Sequence, residues 1–355
     1  MFTLVVINRQ EAVEFRERNR NGFGSHTFES RSRDVPHNRG AQFQMASMTR
    51  TITDSSAGKL LPGDLVEVRS ESEILATLDE KGTLNKLPFM PEMLKFCGKT
   101  LRVSARAFKT CVDDQEMRQF DNTVFLEEAR CDGSSHSGCG RACLIFWNEA
   151  WLKRSGDATS SNGFHVPKIC RADLESLAMA DGQFFCQSSE ILNASTPLPW
   201  WAPKQYLWDL KYNRTSIVRF IQSLLIAFYN KVAHVSRLKS WKFVAGSAED
   251  FRGQPLNLKP GDLVRVKSLS QIQQTLDSAG KHQNLLFAPT MMSFCGQVLR
   301  VQDRVENIVL EATPKQRRIK DTVLLEGATC DGVCHRLCPR QSFLFWRECW
   351  LERVS

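Results

Sequence analysis

The sequence predicts a mainly β chain with helical insertions, an α+β protein built from two tandem homologous SH3-like small β-barrel modules separated by a helical segment. Three observations predict it. A stretch of about 95 residues occurs twice at a nearly constant spacing. Each copy consists of short apolar alternations bounded by Pro-Gly and Asp-Gly turns. The residues between the copies instead carry apolar side chains at helical spacing.

The repeat is direct. PGDLVEVRS (62–70) returns as PGDLVRVKS (260–268), with seven of nine residues identical. LPFMPEMLKFCGKTLRV (87–103) returns at 285–301, and the two FCG tripeptides coincide. One residue is inserted in the second copy near 310. Beyond it, DNTVFLEEARCDG (121–133) matches KDTVLLEGATCDG (320–332), and LIFWNEAWLKR (144–154) matches FLFWRECWLER (343–353). The organisation expected is a disordered or mis-annotated extension over 1–57, with Met45 or Met48 as alternative starts. A first zinc-binding β module follows at 58–154, a Gly/Ser linker at 155–163, a helical middle segment at 164–250 and a second zinc-binding β module at 251–355.

Within a module, Pro-Gly-Asp turns the chain into a strand through Leu65, Val66 and Val68. Ser70 before Glu73 marks a capped short helix. Leu101 with Val103, and the run TVFLEE, supply two more strands, and LIFWNEAWLKR reads as a final strand. In the middle segment CQSSEILNAST (186–196) reads as a short helix. Pro203 suits a first helical turn, and Tyr206, Leu207, Leu210, Val218, Ile221, Leu225 and Phe228 recur on a helical period. Trp200, Trp201 and Trp208 are either groove-lining or packing aromatics. The apolar run 217–235 is interrupted by Arg219 and Lys231, and its core falls short of the ~20 residues that span a bilayer, so no transmembrane segment is expected.

Twelve cysteines without a secretory signal point to a cytoplasmic chain using thiols for metal or redox chemistry rather than disulfides. The repeat sorts them. Cys97, Cys131, His136 and Cys139 correspond to Cys295, Cys330, His335 and Cys338. Three thiols and an imidazole are a standard complement for tetrahedral Zn²⁺, and Gly133 or Gly332 permits the turn that gathers ligands from one CDGxxHxxC loop. Cys111 and Cys143 are absent together from the second copy (Val309 or Leu310, and Ser342). They are candidate additional ligands or a redox pair. Cys334 and Cys349 occur only in the second copy. Asp132 and Asp331 either orient a ligand or cap the Gly turn, and Glu149 and Glu348 either act as acid/base groups or form salt bridges.

CDGSSH resembles CDGSH-type iron–sulfur proteins, in which three Cys and one His hold a [2Fe–2S] cluster. That family has Cys-x-Cys upstream and its His four residues after the last Cys. Here His136 lies five residues after Cys131, and Cys-x-Cys is absent. Zinc is therefore the expected cofactor and an iron–sulfur cluster the alternative. LPFMPEMLKFCG, RCDGSSHSGCGRACLIFWNEAWLKR and CQSSEILNASTPLPWWAPKQYLWDL together resemble a family of uncharacterised bacterial proteins over about residues 58–353. The resemblance implies a shared unit and no particular reaction. The second module departs from it at Val309 or Leu310, Ser342 and Cys349.

No phosphate-binding glycine loop, nucleophile elbow or paired-carboxylate constellation is present in the sequence. The expected function is a non-enzymatic interaction or scaffold protein with a protein partner. The alternatives are a metal-dependent enzyme or maturation factor, with its active metal in the first module, and nucleic-acid binding through the barrels. The net charge of +8 is spread along the chain, and the one basic cluster, PKQRRIK (314–320), faces QEMRQFD in the first copy, so the nucleic-acid reading has the least support.

Overall fold

Gly63 and Gly261 both adopt positive φ (96° and 93°). Each donates its N–H at 2.8 Å, Gly63 to Val103 O and Gly261 to Val301 O. The repeated Pro-Gly-Asp turn thus starts both modules in the same way. The computed structural model describes residues 58–112, 117–154, 167–180, 182–236, 238–241, 243–248, 251 and 253–354. The expectations for 1–57 and for the 155–163 linker lie outside these residues. Residues Leu60–Ser355 belong to one compact unit.

The principal elements of the first module are β1 (Leu65–Val68), α1 (Glu71–Leu75), β2 (Thr100–Arg106), β3 (Lys109–Thr110), β4 (Arg118–Gln119), β5 (Thr123–Leu126), β6 (Trp147–Asn148) and β7 (Leu152–Arg154). Helices α2 (Arg171–Ala178), α3 (Pro203–Lys211) and α4 (Ile217–Val235) follow. The second module repeats the first as β8 (Leu263–Val266), α5 (Leu269–Gln273), β9 (Val298–Arg304), β10 (Asn307–Val309), β11 (Gln316–Arg318), β12 (Thr322–Leu325), β13 (Trp346–Arg347) and β14 (Leu351–Arg353).

Each module forms one five-stranded antiparallel sheet, in the orders β6-β5-β2-β1-β7 and β13-β12-β9-β8-β14. Strand register repeats as well: Leu65 faces Arg102 where Leu263 faces Arg300, and both long strands are bulged at the same place. These sheets are open; among the described residues none closes on itself. The predicted helices are present with complete capping boxes, Ser70 with Glu73 and Ser268 with Gln271. Core residues Val66, Val68, Ile74, Val103, Phe125 and Trp147 are fully buried, as are the equivalents Val264, Val266 and Trp346.

Two expectations need correction. LIFWNEAWLKR is not one strand. It pairs with β5 as β6, makes a one-turn 3-10 helix over Glu149–Trp151, and rejoins the sheet beside β1 as β7. The turn carries the chain from one sheet edge to the other and buries Trp147 and Trp151 on the way. Trp151 Nε1 donates to Thr77 Oγ1 at 3.1 Å, and Trp350 Nε1 to Thr275 Oγ1 at 2.9 Å. Residues 186–196 form successive turns rather than a helix. Their polar groups are committed elsewhere: Gln187 accepts Phe146 N–H (2.8 Å) and donates to Phe146 O and Pro88 O (2.9 and 3.0 Å). Tertiary bonding overrides the local helical pattern here.

Both long middle helices lie where the apolar spacing predicts. On α4, however, the apolar stripe faces outward. Val218, Leu225 and Phe228 are 77%, 65% and 67% exposed, while the packed face is Ser223, Ile226 and Ala233. That face rests on the second module, with Ser223 Oγ donating to Val333 O at 2.9 Å. Helix α3 is fixed to the first module by Lys109 Nζ and Asp209 Oδ2, 2.6 Å apart and almost fully buried. Trp208 packs edge-on against Phe108, ring centroids 5.3 Å apart, whereas Trp200 and Trp201 are exposed. No helix among the described residues is long and apolar enough to cross a membrane.

Candidate metal centre

Cys131 leaves the strand region through Asp132 and Gly133 into a one-turn 3-10 helix, Ser134–His136. Gly133 is held at φ 71°, and a Cβ there would lie 2.2 Å from Cys139 O. Gly332 repeats this at φ 75°, also 2.2 Å from Cys338 O. Only glycine allows the loop to fold back so closely on its own last cysteine. The aspartates are caps: Asp132 Oδ1 accepts Ser134 N–H at 3.0 Å, and Asp331 Oδ1 accepts Val333 N–H at 3.0 Å.

The loop brings His136 and Cys131 against an unexpected third residue, Glu92, from the 3-10 helix Pro91–Phe96. The potential ligand atoms of Glu92, Cys131 and His136 all lie within 4.8 Å of one another. His136 Nδ1 is 2.6 Å from Glu92 Oε1, which also accepts Ser135 N–H at 3.0 Å. Glu92 Oε2 is buried and has no hydrogen-bond partner among the described residues. A carboxylate oxygen in that state is costly unless something positive meets it. Thiol, imidazole and carboxylate together are donors suited to a divalent transition ion.

Cys97 and Cys139 are not members of this group. Cys97 ends the 3-10 helix, and beyond the upward effect of burial the charges acting on its thiol are those of Glu71 and Arg171. Cys139 Sγ accepts Val309 N–H from the second module at 3.3 Å. Cys143 lies 3.6 Å from Ser188 Oγ and 3.9 Å from Arg340 Nη2. Burial acts to raise its pKa, but the Arg340 and Arg141 guanidiniums outweigh burial and lower it. Cys131, His136, Cys139, Cys143 and Cys186 border a small cavity of about 30 Å³, room for one water-sized occupant.

In the second copy Cys330 Sγ is 3.9 Å from His335 Nδ1. Burial pushes the Cys330 thiol up to about 12 and His335 down to about 4. Cys338 Sγ accepts Cys111 N–H at 3.2 Å. Cys295 ends the 3-10 helix Pro289–Phe294, half-buried like Cys97. Cys111 meets the second module's loop at Cys338, and Cys143 lines the first module's cavity.

The arginine after each loop completes the contact between modules. Arg141 Nη1 donates to Val309 O at 3.2 Å, and Arg340 Nη1 to Cys111 O at 3.5 Å. Both guanidiniums converge on buried Glu311. Glu149 and Glu348 hold structural bridges: Glu149 pairs with Arg106 at 2.6 Å, and Glu348 accepts the amides of Leu256, Asn257 and Leu258.

A Cys–His–Glu set also has the composition of a thiol nucleophile with its base. Burial and the nearby Glu92 charge hold the Cys131 pKa well above its ordinary value, the opposite of an activated thiolate. Metal ligation is the chemistry that the arrangement favours. No protein-family model, curated protein or solved structure matches this chain.

Glu92 was missed in the sequence because Thr290 stands at its place in the second copy. The signal available was an acid alone among Phe89, Met90, Met93 and Leu94. Arg141 and Arg340, by contrast, keep register in both copies.

Proposed function

We propose that the chain is a zinc-binding tandem-module protein that acts as a non-enzymatic interaction scaffold. The observation that carries the reading is the buried Glu92–Cys131–His136 group with its unpartnered carboxylate oxygen. The ion-sized cavity beside it supports a single ion rather than a multi-atom cluster. An SH3-like module is supported by the strand order, in which the last strand flanks the first and a one-turn 3-10 helix precedes it. The outward apolar stripe of α4 supports a partner-binding role, since exposed patches of this kind mark interaction sites.

The test is the metal content of the full-length protein as purified, measured for wild type, Glu92→Gln and Cys131→Ser, with near-ultraviolet circular dichroism to verify folding. Loss of one zinc equivalent from each folded variant relative to wild type supports the reading. An unchanged zinc content in both, or iron with visible absorbance, overturns it.

A further inference from the structure

We propose a second zinc site formed between the two modules, with Cys330, His335 and Cys338 from the second and Cys111 from the first. This inference rests on reading the first CDGxxHxxC loop as a metal site, because the second loop is its structural copy.

Both loops present Cys, His and Cys on the same backbone, folded around Gly133 and Gly332. They differ in what comes from outside. The first loop receives Glu92. At the equivalent position the second module has Thr290, whose hydroxyl oxygen is buried and has no hydrogen-bond partner among the described residues. The second loop receives Cys111 instead, where the first loop meets Val309. The replacement is reciprocal: the loop that has lost the carboxylate gains a thiol, and the loop that keeps it faces valine.

The Cys111 amide donates to Cys338 Sγ at 3.2 Å, which sets the two residues side by side. Cys330 Sγ lies 3.9 Å from His335 Nδ1. These two pairs are not drawn together as tightly as Glu92, Cys131 and His136, so an ion must bring them together. Binding then displaces the three thiol protons and gives a Cys₃His tetrahedron. Cys295, the ligand expected from the sequence alone, sits at a helix end outside this set. An ion held in this way ties the first module's Cys111 strand region to the second module's loop.

The test compares zinc equivalents per full-length chain in wild type, Cys111→Val, Cys295→Ser and Glu92→Gln. Valine is the residue already accommodated at the reciprocal position, so Cys111→Val keeps the packing. Expected are two equivalents in wild type, one in Cys111→Val, two in Cys295→Ser and one in Glu92→Gln. Two equivalents in folded Cys111→Val, or one in Cys295→Ser, overturn the proposal. A wild type with one equivalent, lost in Glu92→Gln, removes the second site and leaves the first. A wild type without zinc removes both.

Discussion

Cys338 Sγ accepts the backbone N–H of Cys111 at 3.2 Å, and the contact is returned by Cys139 Sγ and Val309 N–H at 3.3 Å. Each module thus seats its CDGxxHxxC loop on the other module, and the arginine two residues beyond the loop donates to the carbonyl of the same partner residue. This is the reciprocity of an isologous interface, here within one chain.

Glu311 is the charge on which that interface turns, because Arg141 and Arg340 both converge on it. Glu311→Gln leaves two buried guanidiniums without their counter-charge. The expected cost is about 3–5 kcal/mol, read as a lower urea midpoint. A variant within about 0.5 kcal/mol of wild type, the ordinary range for a surface change, would show that the arginines are neutralised elsewhere.

Glycine substitutions separate loop geometry from general strain. Gly133→Ala meets both a positive φ and the Cys139 carbonyl at 2.2 Å, whereas Gly138→Ala at φ 70° meets nothing within 4 Å. Gly138→Ala should cost roughly 1–3 kcal/mol of backbone strain. Gly133→Ala should cost more and remove the first loop's zinc equivalent, as measured by thermal unfolding and metal content. Equal effects of the two would count against the fold-back of the loop.

The Lys109–Asp209 pair attaches α3 to the first module. Asp209→Ala strands a buried ammonium and should destabilise by about 3–5 kcal/mol. Replacing both residues by Met and Leu should recover most of that loss. No recovery in the double variant would mean that the pair contributes more than mutual neutralisation.

His282 is buried, and desolvation lowers its pKa from the ordinary value near 6.5. The unfolded chain therefore binds the proton more readily. Its contribution to stability is fully present above pH 6.5 and declines as pH falls below it. Leu84 occupies the equivalent position in the first module, so His282→Leu should flatten the stability profile just below about pH 6.5. An unchanged slope would place that pH dependence in another group.

What the sequence made legible follows from its repeat. Pro-Gly-Asp, the Ser70 and Ser268 caps and the glycines of the CDG loops are local signals, and each folds as its chemistry dictates. Cys131 and His136, which the structure places beside Glu92, could be singled out because the CDGxxHxxC loop keeps its spacing in both copies. Glu92 and the Cys111–Cys338 contact were not legible. One is a single acid in an apolar motif without a counterpart, and the other joins residues 227 positions apart. The orientation of α4 was hidden for a related reason: helical spacing defines an apolar stripe but not which side the neighbouring module covers. Residues 186–196 show the converse, where Gln187 and Ser189 spend on tertiary and turn contacts the polar groups that a helix would leave free.

A divalent ion held by Glu92, Cys131 and His136 is the proposal on which the other metal expectations rest. Its most direct test is zinc K-edge X-ray absorption on full-length Cys111→Val, in which only the first of the two proposed sites is expected to remain. Expected are a four-coordinate shell mixing nitrogen or oxygen at about 2.0–2.2 Å with sulfur at about 2.3 Å, and loss of the signal when Glu92→Gln is added. A shell without sulfur, or tightly bound zinc unchanged by Glu92→Gln, would contradict it.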